Sequence, residues 1–326
     1  MPTVEDAARH LADLLAGRAQ HLSAATGSDL EFFPTIEVAP LRRLGPPADC
    51  WAVDGGQALV ADARCLSVGA TRAARTRWQG GHCTLEEEGE LNVHVLAAGG
   101  GGAEARQALA ELAAPVSPEA PVDLNLLRDW SEWRLVARSV DEAEPGALVL
   151  VDGDLQPDWR VPAHWLADLL SRAAERRVSL VGVTKHSSLA RGGAPLVGQL
   201  ELGTEEALGP RACWWAPVAL RRPEAGPGLL VVVARLDPDA RFAFRVDLPA
   251  GADAPQLLGQ LSALADDAGF PGYPYPLSIA DRLASCPSWL REEVWAQLDN
   301  ALAAAGVSAE VRERAFTDRH RLMERS

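Results

Sequence analysis

Lysine is almost missing from this sequence, with one residue, Lys185, against thirty arginines. A GC-rich genome accounts for that bias, and it makes the retained lysine worth locating. Tyrosine is nearly as scarce, and both copies, Tyr273 and Tyr275, fall in one short segment. The five cysteines, at 50, 65, 83, 213 and 286, form no CxxC pair. They read as buried or free thiols in a reducing compartment and give no sign of a zinc site. No apolar run reaches the roughly eighteen residues that a membrane helix needs. No basic stretch followed by an apolar run opens the chain, so a cytoplasmic protein without membrane attachment is expected. Positive charge is also in deficit, with a formal net charge of −14. That argues against holding nucleic acid by bulk charge, though not against a local basic groove beside metal-binding carboxylates. The glycine run Gly99–Gly102 is followed by no Gly-Lys-Ser/Thr, so it is not a phosphate loop.

What is present is a large hydrophobic fraction, 48%, enough for a sizeable core. Ala8, Leu11, Leu14 and Leu15 fall at helical spacing and predict an amphipathic helix over 4–23. A loop follows through Pro40, Pro46 and Pro47. The apolar run 50–53 predicts a strand ending in Asp54-Gly55-Gly56, with one or two further strands over 57–75 and another over 91–97. The acidic run Glu86-Glu87-Glu88-Gly89-Glu90 reads as a solvated turn. Helices are expected over 103–114 and 122–140. A strand buried on both faces covers 148–151 and ends in Asp152-Gly153. A helix over 162–176 leads to a second buried strand over 178–183, and the helical crossover makes the two strands parallel. This order gives an α/β class with a ribonuclease-H-like mixed sheet core and flanking helices. Additional strands are expected over 211–220, 228–235 and 241–247. Helices over 253–268, 276–285, 288–304 and 308–324 close the chain.

The chemistry-bearing residues are carboxylates. Val53-Asp54-Gly55 and Val151-Asp152-Gly153 each follow an apolar run. An aspartate at a strand's carboxyl end points into the crevice where ligands bind, and the next glycine permits a sharp turn and close approach of a phosphate. Asp-Gly is equally a favoured turn pair. Glu132 lies on a largely apolar helix with Leu126, Leu127, Trp130, Trp133 and Leu135. There it calls for a metal or an arginine as partner, unless it faces solvent. Asp281 falls on the second turn of a helix that Pro276 can open. It can be a ligand or half of a surface Asp–Arg pair. Carboxylates converging in this way suit Mg²⁺ or Mn²⁺, and two such ions about 4 Å apart serve phosphodiester hydrolysis. Lys185, after the second buried strand, can meet a phosphate or transition-state charge, and Ser187 or Ser188 can cap a helix. Arg64, Arg72, Arg75 and Arg77 cluster beside Trp78, as a DNA-contacting surface would, or as a charged edge strand would.

Taken in order, these motifs resemble the NurA nuclease family. The segments that carry the likeness are Ala-Val-Asp-Gly at 52–55, Glu132, Leu-Val-Leu-Val-Asp-Gly-Asp-Leu at 148–155 and Val-Gly-Val-Thr-Lys-His-Ser at 181–187. Arg-Phe-Ala-Phe-Arg-Val-Asp-Leu-Pro at 241–249 and Gly-Tyr-Pro-Tyr-Pro-Leu at 272–277 complete the set. The resemblance implies a single nuclease domain over 1–326, with its core at about 48–190 and 210–285 and helical termini at 1–25 and 288–326. It implies a Mn²⁺ (or Mg²⁺) site, two ions in number, held by Asp54, Glu132, Asp152 and Asp281, with Lys185 beside them. It further implies 5′-to-3′ exonuclease and single-strand endonuclease activity, a homodimer, and work with a HerA-like hexameric ATPase in DNA end resection and repair. Tyr273 and Tyr275 join the arginines as DNA contacts. Two positions depart from the family pattern. Gly56 stands where a serine is common, and Asp281 stands where archaeal members carry histidine. A sugar or acetate kinase-like ATPase shares the core topology, but needs it twice. A non-catalytic dimeric adaptor of an ATPase motor would have no use for the carboxylates.

Overall fold

The computed structural model describes residues 3–15, 21–24, 29–99, 101–112, 119, 121–156, 162–222 and 226–317. The first part of the chain gives α1 (Val4–Leu15), β1 (Leu22–Ala24), β2 (Leu30–Phe32) and β3 (Ala39–Pro40). Four long strands follow: β4 (Asp49–Asp62), β5 (Leu66–Gln79), β6 (His82–Glu88) and β7 (Asn92–Ala97). The central segment supplies α2 (Ala103–Glu111), α3 (Leu124–Glu142), β8 (Leu148–Asp152), α4 (Ala163–Glu175) and β9 (Ser179–Thr184). Then come β10 (Leu189–Arg191), β11 (Ala194–Pro195), α5 (Leu196–Leu208), β12 (Trp214–Arg221), β13 (Leu229–Arg235) and β14 (Phe244–Pro249). Helices α6 (Ala254–Ser262), α7 (Tyr275–Ala284), α8 (Ser288–Ala304) and α9 (Ala309–Phe316) complete the described chain.

One large mixed sheet runs in the order β2-β12-β13-β14-β9-β8-β4-β5-β6, with β7 on β5 and β3 on β12. Its centre is three parallel strands, β4, β8 and β9. The antiparallel β4–β5 hairpin lies on one side and the antiparallel β14, β13 and β12 on the other. This is the ribonuclease-H-like mixed α/β core that the element order predicts. Strand alternation divides the side chains between two apolar layers. Trp51, Val53, Val149, Val151 and Leu180 pack against α3 and α4. Cys50, Ala52, Leu148, Leu150, Val181 and Val183 pack against α6 and α7. Both layers are fully dry at their centres, which fixes the register, because a one-residue slip would exchange the layers.

Several elements differ from the sequence-based expectation. The first helix is described as far as Leu15, and Leu22 and Ser23 of the expected helix lie instead in a strand paired with β10. The remainder of that expectation, 16–20, lies outside the described residues, as do 113–114 and 318–324 of two other expected helices. The strand through Asp54 does not end at the glycines. It continues to Asp62 and turns back into β5. The acidic run is no turn: Glu86–Glu88 lie in β6, where Glu87 and Glu88 meet arginines across the ladder. Helix α6 ends at Ser262, six residues early, where the chain folds back so that Leu264 and Ala265 carbonyls accept the Tyr275 and Gly272 amides.

Candidate metal centre

Asp54 and Asp152 reach one point through register. Val53 pairs with Val151 in the parallel β4–β8 ladder, so the next residue on each strand is an aspartate. Each shares alternation with the residues facing α6 and α7, so both carboxylates emerge on that face. Strand β8 ends at Asp152, while β4 runs on past it. Gly153, at φ +130°, turns the chain away there.

The two glycines after Asp54 work by their missing side chains. Neither lies at positive φ, so neither makes a turn. Gly55 faces α3: a Cβ there would lie 2.7 Å from Oε2 of Glu132. Its absence lets the Glu132 carboxyl lie against the β4 backbone beside Asp54. Gly56 faces α7: a Cβ there would lie 1.9 Å from the Ala284 carbonyl oxygen. Its absence lets α7 press onto β4. The approach is held by Thr76, which donates to the Pro276 carbonyl at 3.2 Å, and by Trp78, whose ring meets Tyr275 edge-on at 4.7 Å.

Helix α7 thereby delivers Asp281. One carboxylate oxygen from each of Asp54, Asp152 and Asp281 lies within 4.8 Å of the others. Asp54 is buried; its Oδ1 accepts the Gly55 amide at 2.6 Å, and its buried Oδ2 has no hydrogen-bond partner. Lys185, just past β9, bridges the group: its Nζ is 2.7 Å from Asp152 Oδ2 and 3.2 Å from Asp281 Oδ1. Its ammonium also sits 4.9 Å over the ring of Tyr273.

Negative charge dominates this cluster. Burial first, then the Asp152 and Asp281 carboxylates, push Asp54 up to about 8, against the pull of Lys185 and the Gly55 amide. Burial and then Asp54 hold Glu132 well above the ordinary glutamate value, with Arg128 opposing. Burial also lifts the Tyr273 phenol, reinforced by the Asp152, Asp54 and Asp281 charges. Burial alone would lower Lys185, but Asp152, Asp281 and Asp54 outweigh it and raise its value. An unpartnered, buried carboxylate oxygen is expensive. A hard divalent cation takes oxygen ligands of this kind, and the donor set fits one.

The remaining expected residues are placed as follows. Glu132 is buried beside Asp54, but stands outside the group of three whose oxygens lie within 4.8 Å. Tyr273 is buried under Lys185, and Tyr275 is half-buried against Trp78. The four arginines do not share a surface. Arg75 is fully buried between Glu87 and Glu142, over the Trp51 ring. Arg77 pairs with Asp49 on the same side, and Arg72 pairs with Glu88 on the α7 side. Arg64 occupies the β4–β5 turn at φ +69°. Ser187 accepts the Leu189 amide at the start of β10, so it caps no helix.

Two contributors went unseen in the sequence. Arg128, one turn before Glu132, packs beside it and pairs with the buried Asp129; its i−4 spacing on a helix was the available signal. Arg245 is the other. Its buried guanidinium binds Asp247 at 2.8 Å and Asp154 at 3.0 Å, while Asp247 accepts the Leu155 amide at 2.9 Å. This clamp fixes the loop that follows Asp152.

A family model described as the NurA domain matches residues 202–286, the stretch that contains Asp281, Tyr273 and Arg245 but not Asp54, Glu132, Asp152 or Lys185. Among solved structures, the NurA nuclease from Sulfolobus solfataricus aligns over 93% of this chain and 95% of its own, with a TM-score of 0.61 and 14% identity. That likeness shows the fold. A second NurA structure aligns over 74% of this chain and 86% of its own, at TM-score 0.41 and 8% identity. The catalytic domain of human endonuclease V aligns over 94% of this chain and all of its own, at TM-score 0.39 and 13% identity. No curated protein matches the chain by sequence. Among the described residues, no helix is long and apolar enough to cross a membrane.

Proposed function

We propose that this chain, which belongs to the NurA family, is a nuclease that uses divalent metal to hydrolyse DNA, with all 326 residues forming one domain. The observation that carries the reading is the convergence of Asp54, Asp152 and Asp281 oxygens within 4.8 Å, with one buried Asp54 oxygen left unpartnered. Those three carboxylates, with Glu132 beside them, hold Mn²⁺ or Mg²⁺, two ions in number by the family resemblance. Bound there, such ions polarise the phosphodiester and lower the pKa of water.

The chain's own residues do the rest. Asp54 and Asp152 are set by the parallel ladder, so their spacing is rigid on the scale that catalysis needs. Lys185 is positively charged at neutral pH and stands over Asp152 and Asp281. From there it meets the charge that builds on the phosphoryl oxygens. Tyr273 supports the lysine through its ring face and closes the buried side of the site to water. Arg128 offsets the Glu132 charge. The finer reading follows the resemblance: 5′-to-3′ exonuclease and single-strand endonuclease activity, as a homodimer in the cytoplasm. It acts with a HerA-like hexameric ATPase during end resection and recombinational repair.

The test is a time course on 5′- and 3′-labelled DNA with Mn²⁺, with Mg²⁺ and with EDTA. The wild-type chain degrades DNA in a metal-dependent way. Asp152→Ala, folded by circular dichroism, does not. A wild-type chain inert with both metals sinks the proposal.

A further inference from the structure

Beside the carboxylate centre, two phenylalanines are held out in solvent. Phe270 is 45% exposed and Phe242 is 47% exposed. Isolated exposed apolar residues are ordinary, but these two are coupled to the site. The Phe270 ring lies 6.0 Å from Tyr273 and 6.2 Å from Phe244, both buried. Tyr273 in turn carries Lys185 on its face. Phe270 is therefore one ring removed from Lys185.

The loops that bear the two rings are wedged together. Gly272, at φ +94°, presses on the 238–243 loop so closely that a Cβ on it would lie 2.4 Å from Ala240 Cβ and 3.6 Å from the Phe242 carbonyl. The Phe270 loop is tied internally: the Asp267 carboxylate accepts the Gly269 amide at 2.8 Å, and its carbonyl accepts the Phe270 amide at 3.2 Å. The Phe242 loop is tied to α5, where Glu201 accepts the Ala243 amide. On it, the Arg241 guanidinium sits 5.2 Å over the Phe242 ring. Among the described residues Arg241 has no carboxylate partner, whereas most arginines near the site are ion-paired.

The geometry points to a base-stacking ledge, formed by Phe270 and by Arg241 on Phe242, that grips the single-stranded flank of DNA entering the carboxylate centre. The inference rests on the nuclease reading above. An exposed aromatic face backed by buried rings stacks any base, and an unpaired guanidinium beside it meets the backbone phosphate. Such a surface is indifferent to sequence. It also selects unpaired strands, because a base must leave its partner to lie on it. With a net charge of −14, the protein needs local contacts of this type to hold DNA.

The experiment measures binding and cleavage separately, on the full chain. Binding is read by fluorescence anisotropy of a labelled single-stranded oligonucleotide, using the Asp54→Asn background so that nothing is degraded. The probe is compared with an otherwise identical oligonucleotide in which abasic sites replace the bases nearest the labelled end. Phe270→Ala is expected to weaken binding of the intact probe about tenfold, the scale of one stacked base. It is expected to leave binding of the abasic probe, already weak, nearly unchanged. Phe270→Leu keeps the apolar contact with Phe244 and Tyr273 but has no planar face, so it should behave like the alanine variant. Phe270→Trp should bind as well as the parent. Equal loss on intact and abasic probes would mean that Phe270 acts only by packing, and overturns the ledge. Unchanged binding in the alanine variant, with a wild-type chain that cleaves DNA, overturns the ledge and leaves the nuclease standing. A wild-type chain that neither binds nor cleaves DNA overturns both.

Discussion

Replacing Asp54 by asparagine should give the metal-free protein a stability advantage over wild type that grows as pH rises, while destroying its activity. Burial and neighbouring charge raise Asp54 from the 3.8 of an ordinary aspartate to about 8. Between those values the folded chain keeps a proton that the unfolded chain has lost. Stability is therefore full below about 4, falls as pH climbs through the window and levels out above about 8. At 1.36 kcal/mol per unit, the loss between about pH 5 and pH 8 is roughly 3–4 kcal/mol for a group so shifted. The variant carries no such proton, so its stability relative to wild type should grow by about that amount over the same interval. Glu132 adds to the wild-type decline, because its carboxyl is raised in the same direction. The assay is urea unfolding in EDTA at several pH values, with wild type and variant side by side. Adding Mn²⁺ should reverse the order at the upper end. Metal at about 1,000 times its dissociation constant stabilises the form that binds it by roughly 4.1 kcal/mol, which exceeds that gap, and only wild type retains the full ligand set. A stability gap that does not move with pH would refute the charge argument, since it would mean that Asp54 is not held in a hostile field. A wild type more stable than the variant near pH 8 in EDTA would refute it equally.

Lys185→Ala removes the cation between Asp152 and Asp281; kcat should fall about 100-fold, while the metal concentration for half-maximal rate should not rise, both read from steady-state kinetics. Gly56→Ser should destabilise the fold by at least about 3 kcal/mol, because the added Cβ meets backbone rather than a yielding side chain, and a thermal melt checks it. Arg245→Met leaves the fully buried Asp247 without its cation; a cost of about 3–5 kcal/mol is expected in urea unfolding, and part should return when Asp247→Leu is added.

Much of this site can be read from two apolar runs. Leu148–Val151 and Cys50–Val53 are strands because nearly every side chain in them is apolar, and both faces of the central sheet are covered. Placing an aspartate at the same step on each then sets two carboxylates side by side. The end of the first strand was not legible, because Gly-Gly signals a turn on its own. Here it marks two helices approaching from opposite faces, which is a property of α3 and α7 rather than of β4. The acidic stretch at 86–88 misled for a similar reason. Its charge suggests solvent, but its partners are Arg72, Arg75 and Arg138, contributed by a strand and a helix distant in sequence. Those pairs, with Arg77 on Asp49, account for the arginine cluster: Arg75 and Arg77 serve the interior of the α3 face. The stretch 189–208 carried no clear pattern, since β10 and β11 are only two or three residues long and α5 holds two glycines.

The two departures from the family pattern are best understood as one. Gly56 and Asp281 both lie along the contact between β4 and α7. Asp281 has a short side chain, so α7 must lie close to β4 for its oxygen to come within 4.8 Å of Asp54 and Asp152. Close approach is what Gly56 allows, for the Ala284 carbonyl occupies the space that a serine Cβ would need. The same closeness brings Tyr275 onto Trp78 and Pro276 onto Thr76, so the helix is locked at the height that the short Asp281 side chain requires. Substituting either position alone should therefore damage the site more than its own chemistry suggests, as coupled neighbours do. Asp281 sits where the sheet and the helix have been fitted to an aspartate.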